Sequence, residues 1–578
     1  MKIHFSILKS YLRPQRGRVI VLLLLLVCAS GLALVTPRLT AHIIDSAMAG
    51  ESMSILVWLT AAFIVLSLLE EVLRVSESYL ANLVAWTATN SMRENLFGHC
   101  LHLDMRFHNR NSPGQLLERI DGDVAELEGF FSVLFIRLLS SALLLVGVLS
   151  LLFYINLWLG AAFLAFTLAA AVVLFPVRNI STSHMAAFRE VESQNAGCIE
   201  ETLTGREEIK TNGALPYALF QLEHWMYLRM QKARKFVVMS QVPTAITVTL
   251  YTSANILAVY SCYRLATAGL ISIGIVYLIL RYTNMLLGPI DRIVGEVTRL
   301  QRSVACLGRI SDLLETRSSI EDVGSKTLTA NQHSVTVKDV SFAYNDSETV
   351  LDLVSFDLAP GERLGIIGRT GSGKTTITRL LFRMFDSESG SIRIDGIDQT
   401  EIALHNLYGR IGLVTQEVQL FQSTLRENLR LFNPDVNDAA LEAIIERIDL
   451  IDWFRQLPDG LETELTPGGG NISAGQAQLI GLARVFLKDP GIVILDEPTS
   501  RLDPVTEHRI KRVLADLMTD RTAIIIAHHL STIEAVDKVL VLEAGAVVEC
   551  GPRQALLEDP GSAYARLRQQ SLATGGAP

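Results

Sequence analysis

The sequence predicts a two-part fold: a six-helix, all-α membrane domain fused to a soluble α/β domain. Two observations carry this. Long uncharged stretches are confined to the first 300 of the 578 residues. Beyond about residue 333, short aliphatic runs alternate with helical patterns, as in a layered domain of strands and helices. A chain of this length exceeds one hydrophobic core. Charged residues make up only 19 % and mean hydropathy is positive, as expected when a membrane part is joined to a soluble one. A net charge of −9 argues against a nucleic-acid partner. The cysteines at 28, 100, 198, 262, 306 and 550 show no C-x-x-C pairing and read as buried or lipid-facing thiols.

Each span has its own justification. Residues 19–35 and 55–69 carry no charge. Residues 138–177 are uncharged and broken only by Asn156-Leu157-Trp158. A helix needs about 20 residues to cross a bilayer, so this stretch is two spans joined by a tight turn. Residues 236–263 form another, and 272–287, interrupted by Arg281, the last. The expected spans are approximately 19–40, 55–86, 131–155, 158–178, 236–263 and 272–297, within a domain covering 1–310. Lys2, Lys9, Arg13, Arg16 and Arg18 precede the first span, whereas the loop 45–54 has no basic residue. The positive-inside rule then puts the N-terminus in the cytoplasm, and an even number of spans returns the soluble domain to the same side. The expected location is the inner (plasma) membrane, with the first span retained and not cleaved as a signal. Residues 2–13 suit a short interfacial helix. Segments 87–129 and 178–235 read as cytoplasmic helical extensions. A polar linker at 311–332 leads to the soluble domain at 333–570, and 571–578 reads as a disordered tail.

The chemistry concentrates in the soluble part. Gly368-Arg369-Thr370-Gly371-Ser372-Gly373-Lys374-Thr375 fits G-x-x-x-x-G-K-[ST] and follows the aliphatic run 364–367. A strand, a glycine turn and a helix start aim several N–H groups at one anionic site. Lys374 is placed to reach the β- and γ-phosphates of a nucleotide and Thr375 to hold Mg²⁺. Downstream, the aliphatic run 492–495 ends in Asp496-Glu497. Carboxylates at the end of a buried parallel strand lie where such sheets bind ligands. Asp496 suits the metal ion and Glu497 the polarisation of attacking water.

Further segments carry a family resemblance. Ile472-Ser473-Ala474-Gly475-Gln476 is similar to the signature loop of ATP-binding cassette proteins. Tyr344 matches their adenine-stacking aromatic, Gln416 the Q-loop glutamine, Asp503 the D-loop aspartate and His528 the switch histidine. With six spans ahead of the cassette, the chain resembles an exporter-type half-transporter. The resemblance implies a nucleotide site of Tyr344, residues 368–376 (Thr376 included) and Gln416, with catalysis by Glu497 and His528. It implies Mg²⁺ on Thr375, Gln416 and Asp496, and ATP as the energy source. Ser473, Ala474, Gly475 and Gln476 then act on ATP held by a partner chain, so a dimer is obligatory. It places short coupling helices near 113–117 and 215–222.

Some residues depart from the family pattern. Ala477 stands where an arginine usually follows the signature, Pro467 where a glutamate is usual, and Arg501 where the D-loop carries a small residue. These departures favour pairing with a different half-transporter over a homodimer. Glu70, Glu71 and Arg281 are candidates for a substrate cavity, because ionisable groups at membrane depth are costly unless they face a wet interior; structural pairing, or placement near the headgroups, is the other reading of the same residues. The cargo classes left open are amphipathic small molecules, lipids and peptides, with membrane lipids as surroundings. The alternative reading is an ATP-gated channel or a regulatory subunit whose cassette mainly binds ATP.

Overall fold

The computed structural model describes residues 9–132, 138–177, 180, 182–345, 348–496, 504–527 and 533–573. The chain divides into two compact units. One comprises the residues through His102 with Ser112–Arg317, and the other Leu103–Asn111 with the residues from Ser318 onward.

The first unit is helical. Its helices with long apolar stretches are α1 (Arg16–Met48), α2 (Met53–His102), α3 (Ser140–Ile155), α4 (Leu157–Val177), α5 (Leu215–Thr267) and α6 (Ile273–Glu315). Among the described residues, five helices are long and apolar enough to cross a membrane, and Ser140–Ile155 is a shorter apolar sixth. Residues 133–137 of the expected third span, and 1–8 of the expected interfacial helix, lie outside the described residues. The break at 156 needs one residue. Asn156 leaves the helix in extended conformation, and its Oδ1 accepts from the N–H groups of Trp158 (3.0 Å) and Leu159 (3.3 Å). That side chain supplies the first turn of α4 with acceptors that the helix itself lacks.

Polar contacts pin α1 against α6. Asp45 accepts from Ser272 Oγ at 2.6 Å and from the Gly274 N–H at 2.7 Å. The buried Tyr282 donates its hydroxyl to Leu34 O at 2.8 Å. A Cβ at Gly274 would collide with Ala41 O and lie 2.6 Å from Asp45 Oδ2, so glycine is required for this approach.

Several boundaries differ from the expected ones. Helix α6 continues five residues past 310, because Cys306, Leu307, Ile310 and Leu313 recur at helical spacing and are buried. Arg309 and Asp312 between them stand on the exposed face of the same helix, which is not a linker. Residues 215–222 are the first turns of α5. The separate short helix is Arg206–Thr211, which ends before Gly213 in left-handed conformation (φ +64°). Pro216 in the first turn of α5 favours a helix start there. A short helix does occur at Pro113–Leu117, closed by a capping box between Ser112 and Gln115. At the other end of the chain, helix Ala563–Ala573 runs past the expected start of the tail at 571. Its Tyr564 is buried in the core, and residues 574–578 lie outside the description.

The second unit is α/β. Strands β1 (Val335–Ala343) and β2 (Thr349–Leu358) pair antiparallel. Next come β3 (Arg363–Ile367), β4 (Ser389–Ile394) and β5 (Ile397–Asp398), closing an antiparallel sheet of order β2-β1-β4-β5. After β6 (Ile411–Val414), the short β7 (Ser423–Thr424) and β8 (Glu464–Leu465) pair as a ribbon. With β9 (Ile492–Asp496), β10 (Thr522–Ile526), β11 (Lys538–Glu543) and β12 (Ala546–Pro552), the main sheet has order β12-β11-β3-β10-β9-β6. It is parallel except for β12. Period-two alternation sends Ile492 and Ile494 into one core and Val493 and Leu495 into the other. Both faces of the sheet are therefore buried, as parallel sheets require.

Leu103–Asn111 belongs to this unit. Asp104 caps helix Met105–Arg110 through the Phe107 N–H (2.9 Å) and also accepts from Ser319 N (2.5 Å) and Ser319 Oγ (2.6 Å). Burial alone would raise this carboxyl, but the hydrogen bonds from Ser319, Phe107 and Ser318 outweigh it and hold the group below its ordinary value. Its contribution is thus full above the unfolded aspartate pKa, about 3.9, and is lost as pH falls through the lower folded value. Asp104→Ala is expected to cost about 1–2 kcal/mol, the range for a lost N-cap, read as a lower unfolding midpoint and faster proteolysis near residues 103–111. Equal midpoints at pH 7 would remove Asp104 from this role.

Candidate nucleotide site

Strand β3 delivers the chain to a loop whose shape only glycine permits. Gly371 and Gly373 have φ of +84° and +101°. A Cβ on Gly373 would lie 2.5 Å from Leu351 Cδ2, and one on Gly368 would collide with Leu542 O. Gly373 is the N-cap of α7 (Lys374–Leu381), which packs Ile377, Leu380 and Leu381 against the main sheet. The loop therefore leads directly into a helix N-terminus, where free N–H groups and the helix dipole favour an anion.

Lys374 is buried, and its Nζ donates to Gly368 O at 2.8 Å and Arg369 O at 3.0 Å. The ammonium lies across the loop it follows. Ser372 Oγ is buried and has no hydrogen-bond partner among the described residues. A buried hydroxyl without a partner costs free energy, and a phosphate oxygen is the partner that such a loop suits. Arg369, Thr370 and Thr375 are exposed. Thr376 is buried, with Oγ1 3.1 Å from the Tyr344 hydroxyl. Tyr344 meets Phe342 and Phe385 edge-to-face at 5.0 and 5.2 Å, and Arg379 donates to its hydroxyl at 3.1 Å. The ring is thus held beside the start of α7.

Strand register brings the remaining groups to the same edge. Ile366 of β3 is opposite Ile526 of β10, and Ile526 is opposite Asp496 of β9. On the far side of β9, Leu495 is opposite Val414 of β6, two residues before the exposed Gln416. The glycine loop, Asp496 and Gln416 all stand at the carboxyl ends of adjacent parallel strands. Loop and carboxylate are separated by two strand spacings, about 10 Å. Glu497 and His528 come just after β9 and β10 in the chain, but with Asp503 they lie outside the described residues.

The signature residues occupy a different element. Ser473 caps α8 (Ala474–Lys488) in a capping box with Gln476: the Ser473 N–H donates to Gln476 Oε1 (2.8 Å) and the Gln476 N–H to Ser473 Oγ (3.2 Å). Gly475 is buried, and a Cβ there would collide with Thr506. Helix α8 packs Leu479, Ile480, Leu482 and Ala483 into the core opposite the one that α7 enters. Ala477 joins that core as well, a methyl where the family pattern has a long cation. Pro467 begins the turn Pro467–Gly469, which Asn471 steadies by accepting from the Thr466 N–H at 3.1 Å.

The expected substrate residues are not gathered. Glu70 pairs with Arg74 and accepts from Thr36 Oγ1 at 3.2 Å, while Glu71 and Arg281 are exposed. None of the three lines the cavity found in the membrane unit.

One residue escaped the sequence reading. Arg484 of α8 donates to Asn428 O (2.7 Å), Gln419 O (2.8 Å) and Asn428 Oδ1 (3.2 Å). Asn428 in turn bonds to the backbone of Phe421 through both N–H and C=O. This chain ties the signature helix to the segment following Gln416. Burial depresses the guanidinium below its ordinary value. The sequence signal is an arginine among apolar helix neighbours, Leu482, Ala483, Val485 and Phe486.

Family comparison agrees with this geometry. A model described as ABC transporter transmembrane region matches residues 19–290, and one described as ABC transporter matches 351–500. The uncharacterized ABC transporter ATP-binding protein YknV of Bacillus subtilis (strain 168) is 30 % identical over 583 residues, covering 98 % of this chain and 94 % of that protein. The chain belongs to the ABC transporter family. An ATP-dependent lipid A-core flippase of Coxiella burnetii is 31 % identical, covering 89 % of this chain and 87 % of that one. The structure of a bacterial Atm1-family ABC exporter with ATP bound superposes with TM-score 0.79 at 25 % identity, over 96 % of this chain and 98 % of that one. This ABC chain is thus an exporter-type half-transporter, a multi-pass membrane protein and an ATPase coupled to transport.

Removing Arg484 takes its donor from the carbonyl of the buried Asn428. Arg484→Ala is expected to destabilise the cassette by about 2–4 kcal/mol, measured by denaturant unfolding, and to lower ATP turnover alongside. Arg484→Lys should recover part of the stability only, since one ammonium cannot reproduce the fork.

Proposed function

We propose that this half-transporter exports an amphipathic, lipid-like substrate from the cytoplasmic side of the inner membrane, paired with a second, different half-transporter. The observation that carries the reading is the shared sheet edge, where the glycine loop, Asp496 and Gln416 converge. In this reading Lys374 and the loop N–H groups hold the β- and γ-phosphates, and Tyr344 stacks on adenine. Thr375, Gln416 and Asp496 offer hard oxygen donors that fit Mg²⁺. Bound Mg²⁺ supplies neutralisation of charge building on the phosphates. Glu497 polarises the attacking water and His528 holds the γ-phosphate side of the site.

Ser473 and Gly475 act on ATP bound to the partner, so nucleotide joins two cassettes and its hydrolysis releases them. Opening and closing then rearrange the membrane helices. A lipid-like cargo is supported by relatives named as lipid A-core flippases. Pairing with a different chain is supported by Ala477, Pro467 and Arg501, which depart from the family pattern just after the signature, before it and in the D-loop. The basic N-terminus supports a cytoplasmic cassette.

Proteoliposome uptake tests the export reading: substrate should accumulate uphill only while ATP is hydrolysed, and a downhill flux gated by ATP binding alone would replace the pump with a channel. A stable, substrate-stimulated ATPase built from this polypeptide alone would refute the mixed pair. Glu497→Gln is expected to slow turnover about 10²–10⁴-fold while leaving ATP binding intact; unchanged turnover would take Glu497 out of the general-base role. Lys374→Ala should instead weaken binding about 10- to 100-fold, the loss of a charge-assisted contact, seen in titration with a fluorescent ATP analogue.

A further inference from the structure

The membrane unit contains a cavity of about 670 Å³ that the nucleotide chemistry does not use. It lies between α1, α3 and α6, near the ends joined by short turns. Leu39, Leu151, Ile155, Ile275 and Leu278 make an apolar wall, and Arg38 and His42, one turn apart on α1, face the same space. The volume falls in the range of small-molecule sites, roughly 300–1,000 Å³.

The polar groups here divide by whether the fold already uses them. Asp45 has both carboxylate oxygens engaged, by Ser272 and Gly274. Tyr282 is committed to Leu34 O. Arg38 has no carboxylate in ion-pair range among the described residues, and its guanidinium carbon lies 5.7 Å from the centroid of the Tyr154 ring. Arg38 is exposed and lies over the exposed ring of Tyr154, and both line the cavity. The titratable groups around this space are Arg38, His42, Asp45, Tyr154 and Tyr282. They combine an apolar volume with one carboxylate, whose oxygens already accept from Ser272 and Gly274, and one arginine with no carboxylate in ion-pair range.

We propose that this cavity binds an amphipathic anion, its phosphate or carboxylate head on Arg38 and its hydrocarbon chain along the Leu39–Leu151–Leu278 wall. Such a ligand has two sources, cargo in transit or a resident acidic lipid, and they share this chemistry. Binding here requires no nucleotide, so the site stands or falls separately from the export reading.

The test uses the full-length chain in phosphatidylcholine nanodiscs, with dodecyl phosphate as probe and dodecyltrimethylammonium as its cationic counterpart, occupancy being read by native mass spectrometry. Arg38→Gln is expected to weaken dodecyl phosphate binding about 10-fold or more and Arg38→Lys to restore most of it, with the cationic probe indifferent to both. Equal binding of dodecyl phosphate by wild type and Arg38→Gln overturns the proposal, as does equal dependence of the two probes on Arg38. Unfolding midpoints report whether each variant folds. Should Arg38→Gln not fold, Leu151→Trp decides: it fills the wall without touching the charge, and undiminished dodecyl phosphate binding there also overturns the proposal. Copurified acidic lipid that Arg38→Lys keeps and Leu151→Trp loses assigns the site to a resident lipid; ATP-dependent movement of dodecyl phosphate across the bilayer assigns it to cargo.

Discussion

Burial of both faces of β3, β9 and β10 is the constraint on which the nucleotide site rests. Residues 492–495 alternate between two separate cores, as do Ile524 and Ile525 of β10. A slip of one residue in any of these strands would exchange the side chains of the two cores. Their ends are therefore fixed to within a residue. The carboxyl end is the place where a crevice opens in such a sheet. Gly368, Asp496 and Gln416 need no contact with one another to be brought together, because the register already places them. The loop glycines answer a different requirement. They let the backbone turn close under Leu542 and Leu351 so that α7 begins facing the crevice.

The two cores also separate two jobs. Helix α7 packs into one and carries the phosphate loop; α8 packs into the other and begins at Ser473. Between α8 and the segment after Gln416 the link is polar and half-buried, made by Arg484 and Asn428. Burying a guanidinium is costly unless acceptors surround it, and here backbone carbonyls on two sides offset the cost. Apolar packing alone would allow α8 to slide over its neighbours. Directional bonds do not, so Arg484 holds α8 to the backbone at Gln419 and Asn428. Lys488 adds a second fixed point by donating to Ile411 O at 2.7 Å, at the start of β6.

What the sequence made legible follows from how local the signals are. The phosphate loop occupies eight consecutive residues, and its glycines are needed at the positions where they stand. Asp496 was legible because four aliphatics precede it. Uncharged runs located the membrane helices for the same reason. Arg484 was invisible because its partners lie 56 and 65 residues away in the chain. The end of α6 was misread because polar residues at 311–315 hide a buried stripe of Cys306, Leu307, Ile310 and Leu313. The family resemblance places a separate short helix at 215–222, whereas Gly213 and Pro216 act as stop and start signals that make these residues the first turns of α5.

The membrane half resisted the same logic for a physical reason. An ionisable residue within an apolar helix suits either a wet cavity or a structural pair, and the sequence leaves both open for Glu70. In the folded unit Glu70 is consumed by Arg74 and Thr36, as Asp45 is consumed by the start of α6. A polar group that the fold has already satisfied has little left to offer a ligand, since a new partner must first displace the old one. Among the described residues Arg38 has no carboxylate in ion-pair range, and it lines a largely apolar volume beside Tyr154. Charge at membrane depth is therefore a poor guide to cargo until its partners are known. The residue left unneutralised, not the residue most out of place in the sequence, is the one with free energy to give to something that binds.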